Sequence, residues 1–130
     1  MMDYSVLVAE DEPNIALSLQ FIMNKAGFNV RVAEDGNLAI LEIKKETPDV
    51  ILLDIMLAKR DGFSVLETIK ENPKWSSIKV IVLTAKSRDE DKQRALKMGA
   101  DDYITKPFSS RQLVDRVINL LGGDEEAGTA

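Results

Sequence analysis

Short β-branched runs recur along the chain and alternate with stretches of helical spacing, and this alternation constrains the fold more than any other feature. Ser5-Val6-Leu7-Val8, Val30-Arg31-Val32, Val50-Ile51-Leu52-Leu53 and Val80-Ile81-Val82-Leu83 read as strands, with a weaker one at Tyr103-Ile104-Thr105. In the first intervening stretch Ile15, Leu19, Ile22, Met23 and Ala26 fall on one helical face, and Gly27 closes that helix just past its end. The pattern predicts further helices from about Asn37 to Glu46, stopping before Pro48, and from about Phe63 to Glu71, stopping before Pro73. The last helix carries Leu113, Val114, Val117, Ile118 and Leu121. Ser87 to Met98 is mostly charged, with Ala95, Leu96 and Met98 to anchor it, and is expected to be the most loosely packed helix. Strands alternating with helices imply parallel pairing through right-handed crossovers, and near-continuous apolar strands imply a sheet covered on both faces. The expected architecture is a three-layer α/β/α domain.

With 130 residues, 45% of them apolar, the chain can fill one core but not two. The domain is expected to span residues 3–121. Residues 122–130, small and polar without periodicity, read as a disordered tail or linker stub. The Gly-Gly-Asp-Glu string at 122–125 resembles the signature of cyclic-dinucleotide synthases, but nothing domain-sized surrounds it. A net charge of −5 argues against direct nucleic-acid contact, which calls for clustered cations. Cysteine and histidine are both absent, which excludes disulfides, thiol nucleophiles, Ser/His/Asp triads and nearly every transition-metal site. Carboxylates, lysines and hydroxyls remain, together with hard cations such as Mg²⁺. No apolar run reaches the length of a membrane span and the N-terminus is not signal-like, so a cytoplasmic location without membrane contact is expected.

The polar residues that follow the strands are the candidate site. Glu10 and Asp11 follow the first, Asp54 the third, Thr84 the fourth and Lys106 the fifth. In an open parallel sheet the carboxyl ends share one edge, where ligands bind. Any one of these residues taken alone is better read as an ordinary polar loop residue. The set needs another explanation, because two like charges about 4 Å apart repel by roughly 4 kcal/mol at an effective dielectric of about 20, against a total stability of about 5–15 kcal/mol. A divalent cation held by oxygen ligands supplies one, and without metal at least one acid should have a raised pKa. A carboxylate beside Mg²⁺ can attack phosphorus to form an acyl phosphate. In that chemistry Asp54 is the nucleophile, Glu10 and Asp11 hold the metal, Lys106 supplies positive charge and Thr84 a hydrogen bond.

These residues in this order resemble the receiver domain of two-component response regulators, the CheY-like superfamily, over Ser5 to about Leu121. The marks are Val8-Ala9-Glu10-Asp11-Glu12, Leu52-Leu53-Asp54-Ile55-Met56, Asp61-Gly62-Phe63, Leu83-Thr84-Ala85, Gly99-Ala100-Asp101-Asp102-Tyr103 and Thr105-Lys106-Pro107-Phe108. The resemblance implies a flavodoxin-like fold with five helices and a five-stranded parallel sheet of order 2-1-3-4-5. It also implies Mg²⁺, with Mn²⁺ as an alternative, bound by Asp11, Asp54 and the backbone carbonyl of Met56, with Glu10 acting through water. The implied phosphodonor is a sensor histidine kinase or phosphotransfer protein. Thr84 and Tyr103 would be the switch residues, reshaping the surface of the fourth helix, fifth strand and fifth helix for a downstream protein or attached effector domain. Lys106-Pro107 would be cis. The domain would be a phosphoacceptor with weak self-dephosphorylation rather than an enzyme, its decay rate tuned by Met56 and Lys86.

Ala58 stands where the family usually has proline, and Lys59-Arg60 replace smaller residues, which predicts a more mobile or partner-tuned loop. The region from the fourth to the fifth helix resembles the OmpR/PhoB-type subfamily, with Glu90, Lys92, Asp101 and Arg116 at suitable places for a phosphorylation-dependent homodimer. Gln112 and Ile118 stand where that subfamily carries charges. Trp75 is placed in a loop away from the site. Phe108 reads as packing, Asp61-Gly62 and Asp35-Gly36 as turns, and Asp102 as a solvated turn acid. A phosphatase using an aspartyl nucleophile would carry a general acid at position 56, which is methionine here. A flavin domain would need a phosphate cradle where Glu10-Asp11-Glu12-Pro13 stands. The complete residue set disfavours a receiver that only docks.

Overall fold

β1 (Ser5–Ala9), β3 (Val50–Asp54) and β4 (Lys79–Ala85) carry the most apolar runs, and these three occupy the centre of the sheet. The computed structural model describes residues 4–85 and 88–123. β2 (Asn29–Ala33) and β5 (Asp102–Lys106), which carry more polar residues, take the two edges, giving the order β2-β1-β3-β4-β5 with every pair parallel.

Side chains alternate between the two faces of the sheet, as the period of a strand requires. Leu7, Ile51, Leu53, Val80 and Val82 pack under α2 (Gly36–Lys45), α3 (Gly62–Glu71) and α4 (Asp89–Lys97). Val6, Val8, Leu52, Ile81 and Leu83 pack under α1 (Pro13–Lys25) and α5 (Ser110–Ile118). Two cores therefore flank one sheet, completing the three-layer CheY-like α/β fold.

The helix boundaries follow from local chemistry. Asp35, Asp61 and Ser109 cap α2, α3 and α5 by accepting from the N–H of Leu38, Ser64 and Gln112 at 2.8, 2.9 and 3.0 Å. Gly27, at φ +100, turns the chain out of α1 toward β2. On α1, Leu19 and Met23 are buried and Ile15 and Ile22 half-buried, whereas Ala26 falls at the exposed C-cap rather than on the packed face.

α4 is anchored differently from its sequence pattern. Ala95 is buried and Met98 half-buried as expected, but Leu96 points outward. Asp91 is buried instead, paired with Arg88, and Arg94 lies over the Phe63 ring of α3 at 3.9 Å. The expected start at Ser87 lies outside the described residues. So does Lys86.

Trp75 is buried in a single turn of 3₁₀ helix, Pro73–Trp75, that packs on the core ahead of β4, at the amino-terminal end of that strand. After α5 the chain keeps helical form as a π-turn, Asn119–Gly123, with Gly122 buried and the Tyr4 hydroxyl donating to the Leu121 carbonyl at 3.4 Å. The expected tail overlaps this turn at 122 and 123, and 124–130 lie outside the described residues.

Candidate functional site

Each candidate side chain is delivered by the end of a strand. The Glu10 N–H extends the β1–β2 ladder to the Ala33 carbonyl at 3.1 Å, which fixes Glu10 one step past β1 with its side chain buried. Glu10 Oε2 accepts from the Glu12 N–H at 3.1 Å, and the next residue, Asp11, is exposed. Asp54 is the last residue of β3, buried, with Oδ1 accepting from the Met56 N–H at 3.1 Å. One carboxylate oxygen from each of Glu10, Asp11 and Asp54 lies within 4.8 Å of the others.

Lys106, the last residue of the edge strand β5, reaches into this cluster. Its ammonium stands 3.1 Å from Glu10 Oε1 and 3.3 Å from Asp54 Oδ2. Thr84, buried near the end of β4, pairs in register with Thr105, and its hydroxyl has no hydrogen-bond partner.

The electrostatics follow the expectation that crowded acids titrate abnormally. Glu10 is pushed from an ordinary 4.5 up to about 7 by its burial, with the neighbouring Asp54 carboxylate adding to the shift. Burial acts to lower the Lys106 pKa, but Asp54 and Glu10 outweigh it and the net shift is upward. The pocket thus holds a paired ammonium, a buried carboxyl that keeps its proton to near neutrality, and an unpaired hydroxyl.

The other candidates are placed as follows. Met56 contributes its N–H to Asp54 and is itself 60% exposed. Tyr103 lies outside the acid cluster, half-buried against the α2–α4 core with the Lys92 ammonium 4.9 Å from its ring centre. Phe108 packs against the opposite core, as expected of a packing aromatic. Lys106-Pro107 is cis.

Two readings of turn residues need correction. Asp102 is not a solvated turn acid. It begins β5, accepts from Arg116 at 2.7 Å and is half-buried, so Arg116 is engaged within the chain. Asp61-Gly62 is more than a turn. A Cβ on Gly62 would stand 2.4 Å from the Asp54 carbonyl oxygen and 2.6 Å from Ile55 Cα, so the glycine lets the start of α3 press against the backbone that carries Asp54. The dipeptide signals a helix start, but nothing in its spelling signals this close approach. Asp101 accepts from the Val80 N–H at 2.8 Å and pins the start of β4.

An acidic cluster, a paired lysine and a lone hydroxyl stand together at the carboxyl edge of a 2-1-3-4-5 sheet, an arrangement consistent with a phosphoacceptor site. The response regulator receiver domain family matches residues 6–118, and the chain belongs to that family, a module of two-component signalling. It is similar to the Francisella response regulator 1452 receiver domain, at 36% identity and a TM-score of 0.85, over 94% of this chain and 99% of that one. It is also similar to the receiver domain of a signal transduction histidine kinase from Syntrophus aciditrophicus, at 33% identity and a TM-score of 0.85, over 92% of this chain and 91% of that one. Against NtrX from Brucella abortus, solved with ADP, the identity is 26% and the TM-score 0.86, over 98% of this chain but 28% of that longer one. Among the described residues no helix is long and apolar enough to cross a membrane.

Proposed function

We propose that Asp54 accepts a phosphoryl group, in a reaction requiring Mg²⁺ or Mn²⁺, from a histidine kinase or phosphotransfer protein. The observation that carries this reading is the three-carboxylate cluster with Lys106 already inserted into it. Its all-oxygen donor set, in a chain without His or Cys, fits a hard divalent cation. Asp11, Asp54 and the Met56 carbonyl would hold the ion, with Glu10 acting through water. When bound, the ion would supply positive charge to offset the phosphoryl oxygens.

The chain's own groups do the rest. Asp54 presents an oxygen as nucleophile, held by the Met56 N–H on its other oxygen. Lys106, within reach of Asp54, is placed to pair with an added phosphoryl oxygen. Thr84, with an unspent buried hydroxyl, would donate to the phosphoryl group and move toward it. That movement would open space for Tyr103 to turn inward, changing the α4–β5–α5 surface offered to a downstream protein or attached effector domain. A phosphorylation-dependent homodimer through this face would have to release Arg116 from Asp102. The domain is assigned to residues 3–121, continued by the turn that ends at Gly123, and the protein is assigned to the cytoplasm without direct nucleic-acid contact.

Borohydride reduction after phosphorylation, followed by peptide mapping, tests the assignment. Conversion to homoserine at position 54 supports it, and modification at Asp11 instead would contradict it.

A further inference from the structure

We infer that Lys59 is a steering residue for the anionic phosphodonor, an inference that rests on phosphoryl acceptance at Asp54. The β3–α3 loop leaves Asp54 and returns to it, because the Gly62 N–H donates to the Ile55 carbonyl at 2.9 Å. At its tip the Arg60 N–H donates to the Ala58 carbonyl at 2.7 Å, a γ-turn across Lys59, whose φ is +66. The other described positive-φ positions are glycines, Gly27 and Gly99. An unbranched lysine gains nothing locally from this left-handed conformation, which favours Gly, Asn or Asp.

The surroundings impose the conformation. The Gly36 N–H donates to the Ala58 carbonyl at 3.2 Å, and a Cβ on Gly36 would stand 1.8 Å from the Arg60 carbonyl oxygen. The tip is thus held against the start of α2. A lysine at a strained, clamped position points to use of its side chain. That side chain is 69% exposed, and its ion pair with the largely buried Asp35 carboxylate is long, at 3.8 Å.

The pocket explains what the charge is for. A phosphodonor approaching Asp54 meets Glu10, Asp11 and Asp54 together, in a chain of net charge −5. Lys106 is already engaged by Glu10 and Asp54 inside the pocket. Lys59, on the loop that begins and ends at Asp54, is a cation outside that engagement, placed to raise the local concentration of an anion. In the step it assists, an Asp54 oxygen bonds to phosphorus as the bond from phosphorus to the donor's leaving oxygen or nitrogen breaks, and the electron pair leaves with the donor.

The test compares phosphorylation rate constants with saturating Mg²⁺ for wild type, Lys59→Gly and Lys59→Arg. Acetyl phosphate serves as a dianionic phosphoryl donor with a phosphorus–oxygen bond to break, and phosphoramidate as a phosphorus–nitrogen donor of lower charge. Lys59→Gly should slow acetyl phosphate transfer by about threefold at low ionic strength, phosphoramidate transfer by less, and neither at high salt. Lys59→Arg should keep the wild-type salt dependence. Relief of the left-handed strain should also raise the melting temperature of Lys59→Gly by about 2–4 °C. Equal wild-type and Lys59→Gly rates at low salt would overturn the inference alone. A lower melting temperature for Lys59→Gly would overturn its premise of strain, and no adduct on wild type would overturn phosphoryl acceptance with it.

Discussion

Thr84 buries a hydroxyl that has no partner, a group whose desolvation costs about 1–3 kcal/mol. Thr84→Val keeps the shape and removes the orphan. It should raise the unfolding free energy by about 1 kcal/mol in urea melts while abolishing the phosphorylation-dependent change at Tyr103, read by tyrosine-ring NMR. A loss of stability would mean that the hydroxyl is satisfied. Glu10 gives a second residue-level prediction. Its folded pKa lies above its ordinary 4.5, at about 7, so the native state holds this proton more tightly than the unfolded chain does. The stability this contributes to the metal-free protein is fully present below about pH 4.5 and is lost as pH rises through about 7. The difference in urea midpoint between wild type and Glu10→Gln should therefore move against wild type across that window. A flat difference would show that Glu10 titrates normally. Met56, exposed and two residues beyond Asp54, should tune how water reaches an acyl phosphate formed there. Met56→Asn should change the decay rate, and an unchanged rate would remove that role.

At the scale of elements, what the sequence shows and what it hides divide along a physical line. Strands and helices were legible because Val50-Ile51-Leu52-Leu53 or Leu19 with Met23 carry period and β-branching in the spelling itself. The acid cluster was legible because parallel topology forces strand ends to one edge. Three-dimensional proximity was not legible. Leu96 looks like an anchor of α4 but is exposed, while the acid Asp91 is buried because Arg88 pairs with it. Gly62 reads as turn chemistry because its contact, the Asp54 backbone, is a matter of packing between two elements. Gly62→Ala should therefore cost about 2–4 kcal/mol in denaturant unfolding and slow phosphorylation by displacing Asp54. Wild-type stability and rate in that variant would show that α3 does not brace the site.

Across the whole molecule, two cores grip one sheet, and all the chemistry collects where the strands run out. Trp75 packs at the amino-terminal end of β4, while Asp54 and Thr84 stand at carboxyl ends, so tryptophan fluorescence should report unfolding but barely respond to phosphorylation. The match to NtrX covers 28% of that longer chain. Everything proposed for this protein converges on one carboxylate. The direct measurement is the intact mass of wild type and Asp54→Asn after incubation with acetyl phosphate, with and without Mg²⁺. Phosphoryl acceptance at Asp54 requires one added phosphoryl group on wild type, only with metal, and none on the variant. An adduct on Asp54→Asn, or one on wild type that forms equally without metal, would contradict it.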